Sequence, residues 1–210
     1  MKTSDFLQRV RRIATNIATL NFAPLLHTAW LRYNRIDYGI AKNIDPKLGH
    51  FHTHSGGPRL TKVIKTLKIS KDDVVLDLGV GKGIAAITLA HHFLLVIGVD
   101  LSQELIDIAK QNASKAGVSN IEFHCADARY FNDRLDRVTH VYLYNPFPAP
   151  VMKEALSNLK ESIRQSPRQI TLIYTNPTCH DTVVAAGFTH RRDVHLKQFY
   201  NVSIYDIGGV

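Results

Sequence analysis

Residues 71 to 100, KDDVVLDLGVGKGIAAITLAHHFLLVIGVD, restrict the fold more than any other stretch of the chain. An apolar run, Val74-Val75-Leu76, ends at Asp77 and breaks into Gly79, Gly81 and Gly83. A helix-like stretch follows from Ile84 to His92, and a second apolar run, Leu94 to Val99, ends in Asp100. The order predicts strand, glycine turn, helix, strand, which is one βαβ unit and therefore a parallel pair inside an α/β sheet. Glycine has no Cβ, so backbone in such a turn can lie directly against a ligand. A carboxylate ending the second strand stands where a ribose presents its two hydroxyls.

The spacing is Gly-x-Gly-x-Gly. The dinucleotide fingerprint Gly-x-Gly-x-x-Gly needs glycine where this chain has Ile84, which counts against a nicotinamide oxidoreductase. Asp77, two residues before the first glycine, can accept a hydrogen bond from an ammonium group and repels a pyrophosphate. On these residues the chain resembles the class I S-adenosylmethionine-dependent methyltransferases, whose first motif is an acid-x-Gly-x-Gly-x-Gly. The resemblance implies an enzyme that uses S-adenosyl-L-methionine as methyl donor. It also implies an α/β three-layer sandwich, with a mostly parallel seven-stranded Rossmann-like sheet closed by a C-terminal antiparallel hairpin. It covers roughly residues 56 to 207.

At 210 residues, with 45% hydrophobic and 21% charged content, the chain has the size and composition of one globular domain. Its formal charge of +8 favours anionic partners, whether nucleic acid, acidic protein tails or lipid headgroups. Cys125 and Cys179 are too few for a disulfide framework or a zinc site, which fits a reducing, cytoplasmic location. No apolar run is long enough to span a membrane.

The expected division is an N-terminal helical and loop lid, residues 1–55, followed by the cofactor domain, residues 56–210. Phe6, Val10, Ile13, Ile17 and Leu20 share one face of a helix predicted over residues 4 to 20. That helix is expected to dock on the domain; a membrane-surface helix and a transit peptide are the alternatives. A short helix is expected from Leu25 to Tyr33, then a long loop. His50, His52 and His54 alternate in that loop and would share one strand face. Without a neighbouring acid or cysteine they are expected at the pocket mouth rather than on a metal, with Tyr33, His52 and His54 on the substrate side.

Beyond the βαβ unit, Ser102 is placed to cap a helix that stops at Gly117, and Ile121 to Cys125 form a third strand leading to Asp127-Ala128. A fourth strand, Val138 to Tyr144, ends in Asn145-Pro146-Phe147-Pro148. A helix from Pro150 to Arg164, a strand from Ile170 to Tyr174, a short helix from Asp181 to Ala186 and strands Phe188 to Leu196 and Phe199 to Ile207 complete the expectation. In the resembling family, Asn/Asp-Pro-Pro-Tyr/Phe after the fourth strand marks many amino-group methylators. Here the third residue is Phe147, and Tyr-Asn-Pro-Phe is similar to bacterial relatives of the non-SET histone lysine methyltransferases. The resemblance assigns Asp77 to the methionine end, Gly79, Gly81 and Gly83 to close approach, Asp100 to the ribose and Asp127 to the adenine. Leu101, Ala128 and Asn145 complete the cofactor set. Asn145, with the carbonyl beside Pro146, would hold a substrate NH, and Phe147 would supply an aromatic wall. The implied acceptor is a nitrogen, on protein lysine or a small amine. An RNA methyltransferase and a non-catalytic cofactor- or RNA-binding protein are the alternatives.

Overall fold

β1 (Val74–Leu78) lies at the centre of the sheet, buried along its whole length. It pairs in parallel with β2 (Leu95–Asp100) on one side and β4 (His140–Tyr144) on the other. A strand covered on both faces reads as a continuous apolar run, which is why Val74-Val75-Leu76 carries no alternation. The computed structural model describes residues 22–39, 55–196 and 200–208. Over these residues β3 (Ile121–Cys125), β5 (Ile170–Thr175), β6 (Thr189–Leu196) and β7 (Tyr200–Ile207) complete seven strands in the order β3-β2-β1-β4-β5-β7-β6. The first five are parallel; β7 runs antiparallel to both β5 and β6. The closing hairpin is therefore inserted second strand first. β6 is left on the edge, where a register shift between His190 and Arg192 and the charges of Arg191, Arg192 and Asp193 discourage further pairing.

Helices cover both faces. Helices α2 (Pro58–Ile64) and α3 (Ile84–Ala90) pack with Val75, Val96 and Tyr142. On the opposite face α5 (Ala149–Gln165) packs with Leu76, Ile97 and Leu143. Helix α4 (Gln103–Ala116) begins where Leu105 N–H donates to Ser102 Oγ at 3.3 Å and ends at Gly117 with φ 70°. Both termini are those expected from the capping residues. Ahead of the sheet, α1 (Ala23–Tyr33) starts earlier than expected because Pro24 suits a first helical turn. The short α6 (His180–Ala185) links β5 to β6. The helix expected over residues 4 to 20 and the loop holding His50, His52 and His54 lie outside the described residues. Among the described residues no helix is long and apolar enough to cross a membrane.

One side chain ties the back of the sheet together. Arg168 donates from Nε to Val138 O at 2.7 Å and from Nη1 to Ser166 O at 2.8 Å. Its Nη2 donates to Ser162 Oγ at 2.9 Å and to Leu135 O. It thus joins the end of α5 to the turn that launches β4. Arg168→Met should leave these carbonyls unpaired, costing about 3 kcal/mol. The melting temperature should fall by roughly 5 to 10 °C in calorimetry.

Candidate cofactor and acceptor site

The residues that carry chemistry in the sequence gather at the carboxyl ends of β1, β2 and β4, where open parallel sheets bind ligands. Gly79, Gly81 and Gly83 have φ of 80°, 54° and 79°, a region that side chains with a Cβ seldom occupy. Gly79 N–H and Val80 N–H both donate to Val99 O, at 2.8 and 3.0 Å, folding the turn back onto β2. A Cβ on Gly79 would lie 2.5 Å from Pro146 Cβ. The turn after β1 and the turn after β4 therefore close on each other, and Asn145-Pro146 forms the wall opposite the glycines.

Asp77 is 2% exposed, and its Oδ2 has no hydrogen-bond partner among the described residues. Burial, and secondarily the charge of Asp100, pushes its carboxyl up to about 8. Tyr142 sits beside it in register, with its hydroxyl pushed well up by burial and with Ser55 and Thr175 alongside. Ser55 is brought there by its neighbours. Gly57 N–H donates to Thr88 Oγ1 at 2.7 Å, and a Cβ on Gly56 would lie 2.3 Å from Ile84 O.

Asp100 has two tasks. Its Oδ2 accepts from Gly81 N–H at 2.9 Å and its Oδ1 from Ser102 N–H at 3.0 Å. It braces the glycine turn and the start of α4, and each oxygen keeps a lone pair for a ligand hydroxyl. Burial raises its carboxyl, and these amide hydrogen bonds oppose the rise. Leu101 follows it, half exposed. Asp127 is engaged by Arg129, whose Nε lies 3.1 and 3.0 Å from the two oxygens and whose Nη2 lies 2.6 Å from Oδ2. This pairing, ahead of burial, holds the Asp127 carboxyl below its usual range. The Asp127 carboxylate is thus already paired with a neighbouring cation. Ala128 packs, partly buried, against the α5-side core.

At the end of β4, Asn145 has φ 41°, and its Oδ1 accepts from Thr178 Oγ1 at 2.5 Å. Asparagine is among the few residues that adopt this backbone region at moderate cost. Phe147 is placed differently from the expected aromatic wall. It is 5% exposed and belongs to the core cluster with Leu78, Val99 and Met152. Burying a phenylalanine is favourable by a few kcal/mol, so the turn directs the ring inward and presents Pro146 to the glycines. Tyr33 is 87% exposed; His52 and His54 are outside the described residues.

A second network was not anticipated. Lys82, inside the glycine turn, places Nζ 2.7 Å from Asp37 Oδ1. Asn112 Nδ2 donates to Asp37 O at 2.8 Å and Lys82 O at 2.9 Å, and its Oδ1 accepts from Asp37 N–H at 2.9 Å. Residues 36–39 are thereby tied to the glycine turn and α4. The only local signal was a lysine in a turn otherwise made of small and apolar residues. Among the described residues, no group of three His, Cys, Asp or Glu is arranged to hold a metal.

Residues 75–166 match the family described as a methyltransferase domain. The ubiquinone biosynthesis O-methyltransferase of Coxiella burnetii is 35% identical over 100 residues, 46% of this chain and 42% of its own length. A 23S rRNA uracil-C(5)-methyltransferase of Legionella pneumophila is 26% identical over 163 residues, 74% of this chain and 35% of its own length. The chain thus spans less than half the length of either relative. Among solved structures, a methyltransferase from Aquifex aeolicus superposes with TM-score 0.61 at 17% identity, covering 70% of this chain and 89% of its own. An RNA methyltransferase from Salinibacter ruber, in complex with S-adenosyl-L-homocysteine, gives TM-score 0.53 at 20% identity, covering 74% and 93%. The fold is Rossmann-like, and residues 75–166 are similar to a methyltransferase domain.

Proposed function

We propose that this protein is an S-adenosylmethionine-dependent methyltransferase acting on a nitrogen acceptor, a protein lysine or a small amine. The observation that carries the reading is Asp77. It is a buried carboxylate with an unpartnered oxygen, beside a glycine turn that Asn145-Pro146 closes from the far side. A dry carboxylate held up at about 8 is costly to keep ionised, and a cationic amino group is the partner that restores it. A pyrophosphate would add a second anion at the same point. The residues present therefore fit the methionine end of S-adenosylmethionine, with Asp100 available to the ribose hydroxyls and Asp127 to the adenine edge.

When bound, the cofactor supplies a methyl group on a cationic sulfur. The protein's part is alignment in a site shielded from water. Asn145, its amide plane held by Thr178, accepts from the acceptor's N–H and points the nitrogen lone pair across the turn. Residues 22–39 lie against the glycine turn through Asp37, consistent with a substrate-side role for the N-terminal segment.

The second reading is RNA methylation, favoured by the net charge of +8 and by the Legionella relative. Incubation of cell extract with tritiated S-adenosylmethionine separates the two. Label is expected in the protein or small-amine fraction, and label released by ribonuclease would move the assignment to RNA. Absence of transfer to any fraction, with cofactor bound, would identify a non-catalytic binding protein.

The double task of Asp100 sets a further expectation. Asp100→Ala removes two ligand hydrogen bonds of about 1.5 to 3 kcal/mol each and frees the Gly81 and Ser102 amides. S-adenosylhomocysteine affinity measured by calorimetry should fall more than about tenfold, with a modest drop in melting temperature. Unchanged affinity would leave Asp100 with the bracing task alone.

A further inference from the structure

Helix α1 has two apolar faces, and among the described residues only one is covered. Leu31 is 1% exposed and packs with Ile36 against Ile84. On the opposite side Phe22, Leu25, Leu26, Ala29 and Tyr33 follow the three- and four-residue spacing of a single helical face, with Trp30 at its edge, 37% exposed and stacked on His27. Leu25 and Leu26 are 68% and 69% exposed, and Phe22 and Tyr33 are also open to solvent. A helix apolar on both sides is normally buried on both sides. Charge marks what lies around the stripe. Residues 22–36 and 55–71 hold seven Lys and Arg and no Asp or Glu. Arg32 and Arg35 end the helix, and Lys62, Lys65 and Lys68 are exposed on or just after α2, which contacts α1.

From this juxtaposition we infer that α1 is a docking surface for an anionic lipid bilayer, with the stripe set into the headgroup boundary and the basic rim on the phosphates. An apolar face of Leu, Phe, Trp and Tyr flanked by cations is the composition of a helix lying in the plane of a membrane. A second copy of this chain would bring one basic rim against another, which is repulsive. Single-stranded nucleic acid is gripped by aromatic faces that stack on bases, and the centre of this stripe is two leucines. Because Ile36 and Leu31 pack on Ile84, the residue after Gly83, a bilayer held on the open face of α1 is separated from the glycine turn by the thickness of that helix. The inference does not depend on the identity of the methyl acceptor, and binding is read without any methyl transfer.

The test is co-sedimentation of the whole chain with vesicles of phosphatidylcholine containing phosphatidylglycerol, against phosphatidylcholine alone. Binding is expected to the anionic vesicles and should weaken as salt is added. Leu25→Asp combined with Leu26→Asp should lower the partition by about tenfold or more while leaving the melting temperature close to the parent's. Trp30 is the only tryptophan, so its emission should shift to the blue when anionic vesicles are added. That reading needs no variant. Protein that stays in the supernatant with unshifted emission overturns the inference, as does undiminished binding by the folded double variant. A dimer in sedimentation velocity that the leucine changes convert to monomer, without vesicle binding, assigns the face to a second copy and equally overturns it.

Discussion

Replacing Asp77 with asparagine should stabilise the ligand-free protein and abolish cofactor binding in the same step. The unfolded carboxyl titrates near 3.8, whereas the folded one is pushed up to about 8, first by burial and then by Asp100. Between these values the folded chain retains a proton that the unfolded chain has lost. The contribution of Asp77 to stability is therefore unfavourable, growing as pH rises from about 4 to about 8 and constant above. At neutral pH the penalty is of the order of a few kcal/mol. An amide cannot ionise and escapes it. The difference in melting temperature between variant and parent should widen from pH 5 to pH 9; a pH-independent difference would show that Asp77 ionises freely. For the parent, the proton must leave Asp77 before an ammonium group can pair with it. S-adenosylhomocysteine affinity should accordingly strengthen as pH rises toward 8, by up to about tenfold per unit. The asparagine variant should show neither the affinity nor the slope. A variant that binds normally would refute the assignment of the methionine end.

At Asn145 the expected loss is in turnover. A group that aligns the nucleophile acts in the transition state, so its removal appears in kcat more than in KM. Loss of one well-placed hydrogen-bonding group in such a site costs about 3 to 4 kcal/mol, a factor of roughly a hundred to a thousand. The φ of 41° makes alanine an impure probe, since a Cβ there adds backbone strain of its own. Asn145→Gly removes the side chain and relieves that strain. It should retain the parent's affinity for S-adenosylhomocysteine and lose single-turnover methyl transfer. Thr178→Val, which frees the Asn145 amide to rotate, should lower kcat less and leave KM nearly unchanged. If the glycine variant turns over normally and only melts earlier, Asn145 is a turn residue preceding Pro146.

The elements most legible in the sequence were those specified by neighbours along the chain. β3 spans Ile121–Cys125 as expected, and α4 lies between the Ser102 cap and Gly117, because capping and left-handed turns are local chemistry. The glycine turn and the acids at Asp77 and Asp100 belong to the same class. Their spacing is dictated by one strand end, and a parallel sheet brings successive strand ends to one edge. The seven-stranded, mostly parallel sheet and its closing antiparallel hairpin follow from the resemblance, whereas the strand order is seen only in the structure.

Contacts between distant segments were decided only in three dimensions. The pairing of Lys82 with Asp37 spans 45 residues, and the Asn112 amide that supports it lies a further helix away. No periodicity encodes such a meeting, because an ion pair needs proximity and not pattern. Asp100 looked like a ligand group, and folding also gave its oxygens to Gly81 and Ser102. Phe147 carried the look of a site aromatic, but the apolar volume beneath β4 was the stronger claimant. Asp127 is engaged by Arg129, two residues away, because the β3 exit turns the two side chains together. The helical period of α1 was readable, but which apolar face found a partner was not. A sequence states that a face is apolar; burial is a property of what else arrives there, and among the described residues the side of α1 bearing Leu31 is the one packed on the domain.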